Sequence, residues 1–275
     1  MSGTAPGTAP ARDRHEEVAS FLRSRRERLT PADVGLPSGP RRRVKGLRRE
    51  EVALLADVGV TWYTWLEQGR PIAVSDETLT RITTALRLNS SETEYLRKLV
   101  RPGTEAPHIW EMKFDEGVRS LVENFKDGFA YLRNSRFDWL AWNERFGRFQ
   151  NLDPKAPAIE RNMLWRLFTD KNSRTLYPHW KEYAARLVAA FRAEYAEHVG
   201  DRDFEGLIDA LTKASPEFAQ LWTNFEVLSP AQWVVVGPFD MRDPQTGEIT
   251  KLKFDSLNLM MPEHPGQVVV FGILP

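Results

Sequence analysis

The sequence has no cysteine among its 275 residues, which excludes disulfide bonds, thiolate metal sites and cysteine nucleophiles. It also has no long apolar run free of charge, so no segment predicts a membrane-spanning helix. Residues 1–12 lack the apolar core of a signal peptide, and we expect them to form a disordered tail. The lack of cysteine fits a reducing compartment, and we therefore expect a cytoplasmic protein.

Motifs of known enzymes are missing as well. No Gly-x-Ser-x-Gly nucleophile elbow, phosphate-binding loop or dinucleotide-binding glycine motif occurs. The histidines lie too far apart along the chain to have the spacing of metal ligands: His15, His108, His179, His198 and His264. We therefore expect a protein that is not an enzyme and that has no cofactor and no bound metal.

Charge is present in equal amounts of each sign but is unevenly distributed. Residues 1–102 contain 18 Lys and Arg against 13 Asp and Glu, whereas residues 103–275 contain 20 against 25. A basic module joined to an acidic one favours a nucleic-acid-binding part followed by a part that does not face nucleic acid.

Periodicity divides the chain into a helical part and a mixed part. Residues 13–101 predict helices, a proline- and glycine-containing linker follows at 102–109, and residues 110–275 predict an α+β domain with an antiparallel sheet. In the first part we expect a helix at 15–29 and three or four more between 47 and 100. In the second part we expect helices at 115–125, 179–198 and 204–214, and strands at 129–132, 137–141, 232–239, 251–255 and 267–274.

The segment from Leu47 to Arg70 predicts a helix-turn-helix. Its first helix, at 49–56, has the small residues Ala53 and Ala56 on its inner face, which permits two helices to cross closely. Val58 would fill the turn. In the second helix Tyr63 and Leu66 would point inward, and Gly69 would end the helix in the left-handed conformation. The rival interpretation is an ordinary helical hairpin.

This arrangement selects the residues that would face DNA. With Tyr63 and Leu66 inward, the outer face of the second helix meets base edges, sugars and phosphates, and flanking basic residues hold phosphates. The candidate DNA-binding residues are Arg41, Arg42, Arg43, Lys45, Arg48, Arg49, Val60, Thr61, Trp62, Thr64 and Trp65. Two alternatives stay open: the basic run is a solvated loop, or the two tryptophans form a dimer surface.

The same segment resembles the Xre-type, phage-repressor-like helix-turn-helix, and more closely the regulators called MmyB-like. The resemblance rests on GlyLeuArgArgGluGluValAla at 46–53 and LeuGluGlnGly at 66–69, with the helix and loop at 21–37 upstream. It continues in the second part with LeuAlaTrpAsn at 140–143, ArgAsn at 161–162, Trp180 and SerPro-x-Phe-x-x-x-Trp at 215–222.

The chain departs from this pattern at four positions. Asp57 stands where the family has glycine in the turn, Gly59 where it has serine, and Trp65 where it has a basic residue. Asp243 stands where the family often has a histidine, so a role of that histidine does not carry over. Aspartate and glycine both suit a turn, but the base preference of the family cannot be transferred.

The resemblance implies a lambda-repressor-like all-α domain that binds double-stranded DNA as a homodimer on an inverted repeat. It also implies a PAS-like α+β domain that senses a small apolar ligand, such as a fatty acid. The aromatic and polar residues that would line the ligand site are Trp139, Trp142, Asn143, Arg161, Asn162, Trp165, Phe168, Trp180, Phe218 and Trp222.

A purely structural role is the alternative for these residues. Tryptophans of such a domain are more often packed core than ligand wall, and asparagines more often bond the ends of helices or turns. Two functions without DNA binding remain as alternatives for the whole chain: a protein–protein adaptor and a carrier of apolar ligands.

Overall fold

The computed structural model describes residues 13–37, 44–102, 115–177, 179–228, 239–242, 249–252, 255–264 and 266–273. Contacts divide the chain into two compact units, residues 1–103 with 196–206, and residues 104–195 with 207–275. Several expectations fall outside the described residues: the tail at 1–12, Arg41 to Arg43, the linker at 103–109, the strand at 232–238 and the turn at 243–247.

Five α-helices lie within residues 13–102 of the first unit. They are α1 (Arg14–Arg28), α2 (Arg49–Leu55), α3 (Val60–Glu67), α4 (Asp76–Ala85) and α5 (Ser90–Val100), with a 3₁₀ helix at Ala32–Val34. The prediction of one helix before Leu47 and three or four after it is confirmed.

Local side-chain bonds start several of these helices. Asp13 accepts a hydrogen bond from the backbone of His15 before α1, and Ser75 accepts one from Thr78 before α4. Asn89 and Glu92 form a reciprocal capping box at α5. Each bond satisfies a backbone N–H that has no partner inside the helix, so the sequence itself sets where these helices begin.

Packing of α1 against α5 forms one side of the core. The rings of Phe21 and Tyr95 meet edge to face with centroids 5.0 Å apart, and the Tyr95 hydroxyl donates a hydrogen bond of 2.6 Å to Glu17. The buried carboxylate of Glu92 pairs with Arg25 and Arg28 at 3.2 and 2.8 Å. Polar groups enclosed in this core therefore have a hydrogen-bonding or charged partner on the facing helix.

The second unit combines helices with strands. The helices along this part of the chain are α6 (Glu116–Asn124), α7 (Glu144–Gln150), α8 (Met163–Thr169), α9 (Ser173–Leu176), α10 (Trp180–Tyr195), α11 (Arg202–Ala214) and α12 (Pro216–Thr223), with a 3₁₀ helix at Ala158–Arg161. Its strands are β1 (Gly128–Arg133), β2 (Trp139–Trp142), β3 (Phe239–Arg242), β4 (Ile249–Leu252), β5 (Asp255–Met260) and β6 (Val268–Ile273). Residues 202–206 of α11 belong to the first unit and the rest of that helix to the second.

The strands form an antiparallel sheet in the order β2-β1-β6-β5, and β3 pairs with β4 separately. This confirms an antiparallel α+β arrangement for the second part of the chain. The strand expected at 137–141 begins at Trp139 instead. Phe137 has a φ of +66°, which an extended strand does not contain, so the chain turns there before it enters β2.

Alternation along β1 gives the sheet two different faces. Ala130 and Leu132 point to one face and pack with Val269, Phe271 and Val122 of α6 in an apolar core. Phe129 and Tyr131 lie at the intervening positions of β1 and face a cavity on the other side. One face of the sheet therefore belongs to the packed core, and the other borders a cavity. Among the described residues, no helix has the length and apolar character needed to span a membrane.

Candidate nucleic-acid interface and ligand pocket

The crossing of α2 and α3 has the geometry of a helix-turn-helix. Ala53 and Ala56 are completely buried, and so is Tyr63 from α3. In the turn, Asp57 adopts a left-handed conformation with φ of +50°, and Gly59 is the N-cap of α3 with φ of −64°. Small side chains at the crossing and a residue that tolerates positive φ are what bring α3 across α2.

The opposite face of α3 is open. Val60 is 44% exposed and Trp65 39% exposed, Thr61 is exposed, and Trp62 and Thr64 are half-buried. The guanidinium of Arg70 lies over the Trp65 ring, 5.3 Å from its centroid. This face therefore combines short apolar groups, hydroxyls and one aromatic ring, all of which can contact base edges and sugars.

A buried carboxylate ties α3 to the two helices beside it. Glu67 is fully buried and receives two hydrogen bonds of 2.7 Å from Arg26 of α1. Arg49 of α2 bonds the same carboxylate at 3.0 Å. The hydrogen bond that Arg26 donates to Glu67 raises the pKa of Arg26, and burial together with the Glu67 charge raises the pKa of Tyr63. Tyr63 therefore stays neutral and Arg26 stays charged.

Beside α3 is an open cleft of about 480 Å³. Its lining includes Lys45, Arg48 and Arg49 from the segment before and within α2, and Val60 and Thr64 from α3. Its lining also contains Arg26 and the carboxylates of Glu27 and Glu50, and this excess of cations makes the cleft attractive to a phosphate group. Arg41, Arg42 and Arg43 of the predicted basic run lie outside the described residues.

Gly46 fixes the segment that carries these cations. Its φ is +74°, and a Cβ built there would lie 2.4 Å from Glu27 Cα and 2.6 Å from the Arg26 carbonyl oxygen. The next residue, Leu47, donates its backbone N–H to that same carbonyl at 3.1 Å. Only glycine allows the chain to pass so close to α1 in this conformation.

In the second unit, an aromatic cavity lies on the open face of the sheet. It has a volume of about 40 Å³ and is lined by Phe129, Tyr131, Trp139, Phe146, Phe149, Gln150, Met163, Tyr177, Tyr183, Val270 and Gly272. A second cavity of about 260 Å³ shares Phe149 and Gln150 with it and is otherwise lined mainly by polar residues of α8 and α9 and the end of α7. We call these the inner and the outer cavity.

Tyrosines close the inner cavity. Tyr177 and Tyr183 stack with centroids 4.5 Å apart, and Gln150 donates a hydrogen bond of 2.7 Å from Nε2 to the Tyr177 hydroxyl. Burial raises the pKa of Tyr131, Tyr177 and Tyr183, so all three phenols remain protonated hydrogen-bonding groups. Apolar rings with a few polar groups are typical of a small-molecule site.

Comparison with known families gives these two sites a context. A model described as a helix-turn-helix domain matches residues 17–96, and a model described as the ligand binding domain of MmyB-like transcription regulators matches residues 114–275. The chain belongs to the MmyB-like family of transcription regulators. It is a DNA-binding regulator with a ligand-sensing domain. A comparison with curated proteins gave no match.

The predicted ligand residues of this MmyB-like chain do not form one surface. Trp139 lines the inner cavity, and it alone of the predicted set lines either cavity among the described residues. Phe168, Trp180, Phe218 and Trp222 instead form an aromatic cluster of helices α8, α10 and α12, with neighbouring centroids 5.3–5.8 Å apart. They pack together because three helices with apolar faces meet there.

The two predicted asparagines bond the protein itself. Asn143 caps α7 through Phe146 N at 3.0 Å and also bonds the backbone of Ala130, Phe125 and Gly128. Asn162 caps α8 through Trp165 N and donates to the Arg136 carbonyl and Asp138. The Asn143 amide thus bonds backbone groups, and the Asn162 amide bonds backbone groups and the Asp138 side chain. Arg161, Trp165 and Trp142 are half-buried outside both cavities.

Sequence reasoning missed most of the residues around the inner cavity. Phe129 and Tyr131 could have been found, because they alternate with the core residues of β1. Tyr177 directly follows α9 and Tyr183 lies within α10, and no local sequence pattern links either residue to the sheet. Only the tertiary structure shows that they line the same cavity.

Proposed function

We propose that this regulator reads DNA with the exposed face of α3 in the major groove. The supporting observation is that Tyr63 is buried while Val60 and Thr61, at the start of the same helix, are exposed. Thr61 and Thr64 would bond base edges or phosphates, Val60 would meet a thymine methyl, and Trp62 and Trp65 would lie along the sugars.

Phosphate contacts would come from the basic side of the same domain. Lys45, Arg48 and Arg49 line the cleft beside α3, and the basic run at 41–43 directly precedes them in sequence. Phosphate contacts position a protein on the duplex without reading its sequence. We therefore expect these cations to set the affinity and its salt dependence, and the threonines to set sequence preference.

The experiment is selection from a genomic fragment library at two salt concentrations, followed by anisotropy titrations on a selected site. Thr61→Ala is expected to weaken binding about tenfold, the loss of one base contact. The matched control is Thr84→Ala, another exposed threonine of the same unit on α4. Salt-insensitive binding, or equal affinity of both variants for the selected site, would contradict the proposal.

We also propose a homodimer on an inverted repeat, with an Xre-type mode of binding. One small domain contacts few base pairs, and two copies related by a twofold axis double the recognised sequence. Light scattering of the free and DNA-bound protein gives the stoichiometry. Two chains on one site with half-sites one helical turn apart are expected, and one chain per site contradicts the dimer.

For the second unit we propose a PAS-like domain whose ligand enters the inner and outer cavities. An antiparallel sheet with helices around it and a cavity on its open face supports this proposal. An apolar cavity of about 150 Å³ holds one benzene molecule in another protein, so the outer cavity at about 260 Å³ has room for roughly ten non-hydrogen atoms. A long-chain fatty acid would fit only with the inner cavity opened.

A chain-length series tests the fatty-acid proposal. Native mass spectrometry with short-, medium- and long-chain saturated fatty acids should reveal binding that Phe149→Ala changes, because Phe149 lines both cavities. Phe168→Ala is the matched control, since it removes the same ring from the packed helical cluster. Failure of every chain length to bind, or equal effects of the two variants on affinity, would count against this site.

A further inference from the structure

Glu67 joins the core of the DNA-binding unit to its basic surface. Arg26 directs Nε to one carboxylate oxygen and Nη2 to the other, both at 2.7 Å, and Nη1 to the Leu47 carbonyl at 2.8 Å. Arg49 approaches from the other side, with Nε and Nη2 both 3.0 Å from the Oε1 atom. We call these three residues the Glu67 cluster.

The two arginines of the cluster differ in exposure. The Arg26 side chain is 9% exposed, whereas that of Arg49 is 40% exposed and lines the cleft beside Val60 and Thr64. Arg49 is therefore anchored at one edge of its guanidinium and open at another. An arginine presents five N–H donors in a rigid fork, so it can bond two acceptors in different directions.

We propose that Glu67 is a positioning residue for DNA binding: it holds the Arg49 guanidinium in place to bond a backbone phosphate in register with the bases met by α3. This inference rests on the proposed reading of DNA by α3. Glu67 and Thr64 are three residues apart on that helix, so the carboxylate ties Arg49 directly to the reading surface. An arginine ordered beforehand loses little freedom when the phosphate arrives.

The charges permit this role. The Glu67 cluster carries two positive charges and one negative charge, so the carboxylate orders Arg49 without cancelling the attraction to a phosphate. Glu67→Gln keeps the size of the side chain but removes the negative charge. Arg49 would then face Arg26 without an intervening anion, and we expect it to leave its ordered position.

Glu92 provides a matched control within the same unit. It is a buried glutamate that also pairs with two arginines, Arg25 at 3.2 Å and Arg28 at 2.8 Å. These residues are absent from the lining of the cleft beside α3. Glu92→Gln therefore makes the same chemical change in a similar cluster at a different place.

The experiment measures the DNA affinity of the full chain across a range of salt concentrations. The slope of log affinity against log salt is negative, and Arg49→Met should make it shallower by about 0.9, the loss of one phosphate contact. Glu67→Gln should make the slope shallower by a similar amount, and the double variant should make it no shallower than either single variant. Glu92→Gln should reduce thermal stability and leave the slope unchanged.

Arg49→Lys supplies a second arm that leaves Glu67 intact. Lysine keeps the charge but lacks the rigid fork, so affinity should fall nearly as far as with Arg49→Met while folding is retained. A wild-type slope for folded Glu67→Gln, or wild-type affinity for Arg49→Lys, would overturn the positioning role. If the wild-type chain binds no DNA, the proposed function itself fails, which is a separate result.

Discussion

Gly46 is the position where one added methyl group should disturb the DNA-binding unit most. Alanine at its φ of +74° costs about 1–2 kcal/mol, because L-residues avoid the left-handed region. The new Cβ would also lie 2.4 Å from Glu27 Cα, whereas carbon atoms prefer about 3.5–4.0 Å. Moving the backbone to relieve this overlap adds about 1–3 kcal/mol. We expect Gly46→Ala to destabilise the unit by about 2–5 kcal/mol.

Gly35 provides the control for this prediction. It has the same φ of +74°, but a Cβ built there meets nothing within 4 Å. Gly35→Ala should therefore carry only the conformational cost of about 1–2 kcal/mol. The difference between the two variants isolates the close approach of Gly46 to α1 from the left-handed conformation that both glycines share.

Hydrogen exchange read by mass spectrometry suits this comparison, because it follows the peptides of the DNA-binding unit separately from those of the second unit. Peptides from α1 and α2 should exchange markedly faster in Gly46→Ala than in Gly35→Ala. DNA affinity should also fall in Gly46→Ala, since Arg26 bonds the carbonyl of the adjacent Leu47. Equal exchange rates in the two variants would refute the steric reasoning.

Three further predictions concern buried groups. Ala53→Leu should cost about 1–3 kcal/mol, because Ala53 is fully buried at the crossing of α2 and α3, and thermal melting with DNA titration checks it. Asn162→Ala should cost about 1–3 kcal/mol by leaving the buried groups around it unpaired; a loss of ligand affinity with unchanged stability would instead assign Asn162 to the ligand. Burial lowers the pKa of His198 below its ordinary value of 6.5, although Asp201 and Glu197 oppose this effect. The stability linked to neutral His198 is therefore fully present above about pH 6.5 and is lost as the pH falls through the lowered pKa. His198→Asn should flatten this pH dependence in thermal melts recorded at a series of pH values.

The helix-turn-helix could be predicted because its determinants are close together in sequence. Small residues at 53 and 56, inward residues at 63 and 66 and a terminal glycine at 69 lie within 17 positions of one another. Helical periodicity alone then decides which side chains point outward. Its anchoring by Glu67 was not foreseen, because Arg26 is 41 residues away in the chain.

The lining of the two cavities could be predicted only as a kind of residue, the aromatic one. The sequence has many aromatic residues after residue 110, but it does not distinguish a ring that packs on another helix from one that faces a cavity. Trp139 and Trp222 are both almost fully buried, yet one lines the inner cavity and the other lies in the helical cluster. That distinction depends on how α8, α10 and α12 pack, which is not encoded in any single segment.

Gln150 lines both the inner and the outer cavity, so a change in the outer cavity can reach the inner one. Its side chain bonds the Tyr177 hydroxyl, and its backbone carbonyl accepts a bond of 2.6 Å from Arg166 in the outer cavity. A ligand that displaces Arg166 would break this bond and loosen Gln150, which holds the stacked tyrosines in place. We therefore expect ligand binding in the outer cavity to change the stacking of Tyr177 on Tyr183. Tyrosine fluorescence or the chemical shifts of the ring protons would measure this change.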